Sequence, residues 1–209
     1  SHLRRGVRLS LFIGLPASLG RLLVRDDNVR VLYGGGGSFS EEGLVRSGLV
    51  LTGFAPAIWA YSLNHVLTRA FYARGDTRTP MRLAIGAVVL NLTLNLTLVW
   101  HLGESGLAWA TGISATVQCL VLLMLTRRVL GVVAIDAVTR AAVSRLALAS
   151  MLMGACVWGV LEVLPSGGAW WLHVVRLSVA VAAGGAAFVG ICRWMQMPEL
   201  GWILDHPAA

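Results

Sequence analysis

Long apolar runs alternate with short polar breaks along the chain. Six of the runs are long enough to cross a bilayer as helices, which takes about 20 mostly apolar residues. The first is Val7 to Val24. It carries Arg8 and Arg21 near its ends and Pro16 inside, so both arginines must snorkel for it to span. The second covers 44–73. It has no charge between Ser47 and Thr68 but holds Pro56, Asn64 and His65. The third is Met81 to Trp100 and the fourth Gly106 to Leu125. The fifth covers 141–164. The sixth covers 171–194 and is uncharged from Leu177 to Cys192, between Arg176 and Arg193. Backbone amides in lipid have no water to bond, so runs of this length predict helices rather than strands. The expected fold is all-α, a polytopic membrane bundle of six transmembrane helices. Four helices fall within 1–128, a linker follows at 129–140, two additional helices occupy 141–194, and 195–209 is a tail. Two breaks are long. Arg25 to Glu42 reads as a polar loop around Gly34-Gly35-Gly36-Gly37, and Thr126 to Arg140 as a mixed linker lying along the membrane surface.

Composition agrees with the pattern. Of 209 residues 56% are apolar and 13% charged, about half the roughly 25% of a soluble domain. Mean hydropathy is +0.73. These values exclude an ordinary cytosolic enzyme, a disordered tail and a disulfide-rich secreted module. Charge then sets a direction. All 17 basic residues are Arg, against 10 acids, for a net +7. With the N-terminus inside, the inner segments hold Arg4, Arg5, Arg8, Arg74, Arg78, Arg82, Arg127, Arg128, Arg140, Arg145 and Arg193. The outer segments hold only Arg21, Arg25, Arg30, Arg46 and Arg176, while Arg69 lies inside the second span toward its inner end. The positive-inside rule therefore places both termini, the linker and the tail in the cytoplasm. It also accounts for the basic balance without nucleic acid, since no basic face interleaved with aromatics appears.

Catalytic chemistry finds no motif. No serine elbow, His-Glu metal helix or paired intramembrane carboxylates occur, and no Gly-Lys-Ser/Thr follows the glycine run. Cys119, Cys156 and Cys192 are odd in number and sit in apolar runs, so neither a disulfide framework nor a zinc site is expected. His2, His65, His101, His173 and His206 are scattered. Asn91-Leu92-Thr93 and Asn95-Leu96-Thr97 match the glycosylation pattern but fall inside a span, and Arg74-Gly75-Asp76 falls on the expected cytoplasmic side. No cofactor or metal is expected. The chemistry that remains is polar groups in lipid, which usually face a bundle interior or a wet cavity. Arg69 and Asn64 are candidates in the second span, although about 140° separates them around a helix. Asn91 and Asn95, at i and i+4, share one face of the third. Interhelical hydrogen bonding explains the asparagines equally well. Ala180 to Ala187 is a small-residue stretch suited to close packing.

One string is more specific. Ala70-Phe71-Tyr72-Ala73-Arg74-Gly75-Asp76-Thr77-Arg78-Thr79-Pro80 resembles the loop after the tenth helix of the MviN/MurJ family, the proposed lipid II flippases. Asn91 and Asn95 then follow in an apolar helix, and Gly106-Leu107-Ala108-Trp109-Ala110-Thr111 is similar to that family's Gly-Leu-Ala-x-Ala-Thr helix start. Upstream, Leu9 to Ala17 resembles the ninth helix, and Val31-Leu32-Tyr33 a segment before an extracytoplasmic loop. The likeness runs from Arg4 to Arg128; beyond Thr139 it rests on hydropathy and two further helices.

The resemblance implies the ninth to fourteenth spans of a fourteen-span protein in the bacterial inner membrane, with a MATE-like fold of two lobes around a cationic cavity. It implies an undecaprenyl-pyrophosphate-linked peptidoglycan precursor as substrate, moved from inner to outer leaflet by alternating access. The partners it implies are membrane lipids and the N-terminal helices of the same protein. The final two helices would offer a groove to the lipid tail. Arg74, Asp76, Arg78, Thr79 and Pro80 would form a cytoplasmic gate or hinge, or simply a well-made turn with Pro in the first turn of the next helix. The family's cavity arginines lie mainly in its first, second and eighth helices, none of them in this chain. The chain opens at Ser1 and is read as a piece of something longer, not expected to transport alone. The rival readings are a polysaccharide-lipid or multidrug transporter of the same superfamily, and a truncated non-transporting membrane protein.

Overall fold

The computed structural model describes residues 2–36, 40–129, 131, 136–165 and 169–204. Among them there are α-helices, one 3-10 turn and no strands. In chain order the helices are α1 (His2–Leu23), α2 (Arg25–Tyr33), α3 (Glu41–Phe54), α4 (Ala57–Tyr72), α5 (Arg78–Leu102), α6 (Glu104–Val129), α7 (Ala137–Val163), α8 (Trp170–Trp194) and α9 (Pro198–Leu204). Counting α3 and α4 as one interrupted span, six are long and apolar enough to cross a membrane. The all-α bundle expected from hydropathy is the observed fold.

One boundary differs from expectation. The first half of the expected polar loop Arg25 to Glu42 is helix α2. Asp26 and Asp27 sit in its first turn and Arg30 in its last, charges that suit the helix dipole, and only Asp27 and Val29 point inward. A hydropathy scan cannot see so short and polar a helix. The second span, expected over 44–73 with Pro56 either breaking it or tolerated as a kink, is interrupted there. Pro56 has no amide hydrogen to continue the ladder, so α3 ends at Phe54 and α4 restarts at Ala57. Gly34–Gly36 form the 3-10 turn. Gly37, much of the linker and the last residues of the tail lie outside the described residues.

The helices form a row. α5 packs on α6, α6 on α3 and α4, α4 on α1, α1 on α7, and α7 on α8. The core runs through the middle of this row, joining Val7, Leu11 and Phe12 of α1 to Leu63, Leu67 and Phe71 of α4, Cys119 and Leu122 of α6, and Leu146 and Met153 of α7. Phe12 meets Phe188 of α8 with ring centroids 5.1 Å apart. Small residues let backbones approach, as expected where lipid supplies no hydrophobic drive between helices. A methyl group on Gly14 would lie 2.8 Å from the Trp59 Cα, and one on Gly53 would lie 2.7 Å from the Ala108 Cβ. The outer members are bare. None of the most apolar stretch of α5 is buried and 11% of that of α8, against 39% for α6 and α7.

Successive spans run in opposite directions, so two ends of the bundle can be told apart. At one end Arg4 pairs with Asp136 at 2.9 Å, and Arg8 donates to Glu199 at 2.6 Å. These contacts gather the starts of α1, α7 and α9. Arg5 and Arg8 also lie over the Trp202 ring, 4.7 and 5.1 Å from its centroid. At the other end Trp170 donates to the Val31 carbonyl at 2.9 Å, tying the start of α8 to α2.

Candidate functional site

The sequence places its most specific string between α4 and α5, and the structure makes that string a compact double cap. The Asp76 amide bonds to the Phe71 carbonyl at 3.1 Å, and the Gly75 amide to the Tyr72 carbonyl at 2.9 Å. This is the Schellman ending of α4, with Gly75 at φ +77°, a conformation that favours glycine. The same Asp76 then starts α5, its carboxylate accepting the Thr79 amide at 3.0 Å. Bonds from the Thr79 hydroxyl and amide, helped by Arg82, hold the Asp76 carboxyl below its usual range. Arg74 and Arg78 are exposed, and Pro80 is buried in the first turn of α5. Asp76 thus bonds to the backbone two residues past Thr77, with no ion pair to Arg74 or Arg78 among the described residues.

The intramembrane candidates separate into two groups. Asn64 points into the bundle, where its amide donates to the Ala115 carbonyl of α6 at 3.2 Å. Asn91 donates to Thr111 and Ser114 of α6, each at 3.3 Å, and accepts from Asn95 at 3.0 Å. These asparagines pin α4 and α5 to α6. The buried Asn95 Oδ1 finds no hydrogen-bond partner among the described residues. Arg69 behaves differently: it lies on the outward face of α4, exposed, beside His65 one turn earlier.

Sequence reasoning missed a second cluster. Asp27 of α2 is buried between two residues of α8. Its Oδ1 lies 2.9 Å from the His173 Nδ1, and its Oδ2 lies 3.2 Å from the Arg176 Nε. Beside it a cavity of about 400 Å³ is lined by Arg25, Asp26, Arg30 and Leu49 among others. Arg30 is bidentate to Glu41 at 3.1 and 2.8 Å, and Arg25 donates to Thr52 at 2.8 Å. Most charges here are therefore paired, and the cluster clips α2 to α8. Asp27 and His173 are 146 positions apart. The available signal was Asp27 itself, an acid in a segment otherwise read as loop.

The small-residue face of α8 is partly open. Ala182, Gly185, Ala186 and Gly190 are exposed, whereas Ala180 and Gly184 pack inward. A Cβ on Gly184 would meet Val157 of α7 at 2.6 Å, whereas one on Gly185 or Gly190 would meet nothing.

Comparison with known proteins adds a name to this geometry. The family model described as lipid II flippase MurJ matches residues 1–179. The probable lipid II flippase MurJ of Vibrio cholerae is 31% identical over 189 residues, covering 89% of this chain and 35% of that protein. That of Rhizobium meliloti is 37% identical over 118 residues, covering 56% of this chain and 22% of that protein. A solved structure, lipid II flippase MurJ in an inward closed conformation, matches with a TM-score of 0.73 at 18% identity, over 93% of this chain and 39% of that one. The chain spans between about a fifth and two fifths of the length of these proteins.

Proposed function

We propose, for a chain that belongs to the lipid II flippase MurJ family, that it serves as the C-terminal part of a transporter for lipid-linked peptidoglycan precursor. The observation that carries this reading is the family match over residues 1–179, on a chain whose helices follow the fold of a solved flippase. The substrate is an undecaprenyl-pyrophosphate-linked precursor, passed from the inner to the outer leaflet of the bacterial plasma membrane. Rocking of one lobe against another, the usual basis of alternating access, would drive it.

The parts then take roles. The end of the bundle gathering α1, the α4–α5 turn and α9 faces the cytoplasm, because it carries the larger share of the arginines. The α4–α5 turn, capped on both sides by Gly75 and Asp76, is a stiff hinge that transmits motion of α4 to α5. Arg69 contacts the anionic head group, since a guanidinium fork matches phosphate oxygens. Asn64, Asn91 and Asn95 keep the wall of the path in register by their bonds to α6. The α7–α8 pair packs on α1 and α2, and its smooth face at Ala182, Gly185, Ala186 and Gly190 accepts the lipid tail.

A rescue experiment tests the reading. The segment is joined to the preceding helices of a related flippase and expressed in cells depleted of their own. Growth with precursor restored to the outer leaflet is the expected result. A chimera that inserts fully but restores neither growth nor precursor overturns it.

A further inference from the structure

The α7–α8 pair is fastened to the bundle at both of its ends. At one end α2 holds it: Asp27 bridges His173 and Arg176 of α8, and Trp170 donates to the Val31 carbonyl. At the other end α8 meets α1 sparsely, and the segment that follows α8 makes the joint. After Trp194 the chain reverses. The Met197 amide bonds to the Cys192 carbonyl and the Gln196 amide to that of Arg193, both at 3.0 Å, with Gln196 at φ +49°. This is a Schellman ending built on a residue with a side chain, which adopts that backbone conformation uncommonly. The reversal lays Met197 and α9 against α1. Met197 is buried in the same cluster as Leu11, Phe12 and Leu146, and Leu200 packs against that cluster. Glu199 is 4% exposed. Its Oε1 receives the Arg8 Nε at 2.6 Å and a terminal Arg8 nitrogen at 2.5 Å. The other oxygen, Oε2, has no hydrogen-bond partner among the described residues, so Arg8 is what balances this carboxylate. Trp202 closes the joint under the Arg5 and Arg8 guanidiniums. Arg4 adds the start of α7 through Asp136, which also caps that helix by accepting the Thr139 amide at 2.8 Å. Midway, a Cβ on Gly154 of α7 would lie 2.9 Å from the Leu19 side chain, so α7 and α1 touch between the two ends as well.

We propose that residues 195–204 are a clasp that stays shut through the working cycle, so that α1, α7 and α8 move as one body. A small opening would part Arg8 from Glu199 while both are still buried, which is strongly unfavourable for a desolvated pair. A large one would also return the Met197 and Leu200 side chains to water. Geometry adds a second reason. The two clips are about 30 Å apart along α8, at 1.5 Å per residue. A helix clipped at one end can swing about that end. Here both clips reach the same stretch of chain, since α2 begins at Arg25 directly after α1 ends at Leu23. Neither end of α8 can then leave α1–α2 without breaking a buried polar contact. Arg8 and Glu199 are positioning residues in this arrangement and touch no substrate. The inference rests on the transport reading above and deepens it. The α8 face which that reading gives to the lipid tail keeps a fixed place against α1 while the lobes rock, instead of swinging away from the bundle.

The test uses the full-length protein carrying this chain, in membrane vesicles, with Cys119, Cys156 and Cys192 replaced by Ala. Cysteines placed at Arg5 and Trp202 are joined by a short bis-maleimide. Movement of a lipid-linked precursor between leaflets should continue at an unchanged rate, because a clasp that never opens loses nothing by being sealed. Loss of that movement on cross-linking, where it was intact before, would overturn the clasp. Spin labels at Arg5 and Trp194 give a readout that needs no transport. Their separation should form one narrow distribution, the same with and without undecaprenyl pyrophosphate. A shift of about 5 Å, one helical turn, on adding that lipid would also overturn the proposal. Glu199→Ala should broaden the distribution toward longer distances, and Glu199→Gln, which keeps the shape and an acceptor for Arg8, should broaden it less. A Glu199→Ala distribution as narrow as the parent's would mean that the pair does not hold the joint, and would overturn it too. A parent that moves no precursor even before cross-linking, yet keeps its narrow distribution, would instead overturn the transport reading and leave the clasp standing.

Discussion

Asp76 carries two duties in one turn: its amide closes α4 and its carboxylate opens α5. The capping bonds from Thr79 lower its pKa, so the ionised form is the one the fold prefers. The sign of the pH dependence follows. The stabilisation is present above the ordinary titration range of an aspartate and is lost as pH falls through the lowered folded-state value. Asp76→Asn should therefore unfold at a lower temperature than the parent at neutral pH, and the two should converge in strong acid. Thermal midpoints in detergent across pH 7 to 2.5 check this, and a gap that is constant with pH would contradict it. The string that marks the family is thus also a string that folds locally. Gly75, Asp76, Thr79 and Pro80 are a cap written within six positions of the chain, which is why sequence alone could single it out. Arg69 is also visible as a charge in an apolar run, in the same span as Asn64 and His65. The i, i+4 spacing of His65 and Arg69 becomes informative only when the outward side of α4 is known.

At the scale of elements, each helix is held by a different mixture of forces. α4 is buried on one side by close backbone approach, with Gly14 of α1 against Trp59. α5 also comes close at one point, its Leu98 carbonyl 2.6 Å from where a Cβ on Gly106 of α6 would lie, but none of its most apolar stretch is buried. Among the described residues it leans chiefly on α6, with a few contacts to α4, and its polar anchor there is the Asn91–Asn95 pair on Thr111 and Ser114. Asn91→Leu removes three of these bonds and leaves the Asn95 amide without its acceptor. Interhelical hydrogen bonds in membrane proteins are worth about 0.6–1.7 kcal/mol, so the expected loss is about 1 kcal/mol. It should appear as a lower thermal midpoint and faster proteolysis at the α5–α6 turn, while Leu148→Ala on the exposed face of α7 changes little. Equal effects of the two substitutions would count against the anchor. The helices themselves were legible because hydropathy and length report directly on what lipid demands. The short polar helix α2 was not, since it is amphipathic on a scale of only nine residues, and Pro56 marked a break or a kink without deciding between them.

For the whole molecule, the point of interest is how the α7–α8 pair stays joined to the rest. Along its length α7 packs on α1, but α8 reaches the first four spans chiefly through α2. That junction is the buried Asp27, held between His173 and Arg176. Removing one partner of a buried ion pair leaves a desolvated charge and costs about 3–5 kcal/mol. Asp27→Ala should therefore destabilise the protein far more than Asp26→Ala, whose carboxylate is exposed. Adding Arg176→Leu to Asp27→Ala should recover part of the loss, because the uncompensated charge goes with it. Thermal unfolding of the single and double variants measures this coupling. Additive losses would mean that Asp27 and Arg176 do not act together.

Sequence by itself determined the helical class, the number of spans, the arginine bias between the two ends and the family string around Asp76. Each of these is local or summed: a span needs only its own apolar residues, a charge bias only counting, and a cap only four neighbours in the chain. Tertiary structure decided which face of each span is covered. It turned Asn64, Asn91 and Asn95 toward α6, brought Asp27 to His173 and Arg176 across 146 positions, and left Tyr61, His65, Arg69 and Tyr72 facing outward together. The reason is physical. In a chain where nearly every helix is apolar on all sides, hydrophobic periodicity no longer distinguishes inside from outside. Packing of small residues and the pairing of a few polar groups set each helix's rotation instead, and those partners lie far apart in sequence.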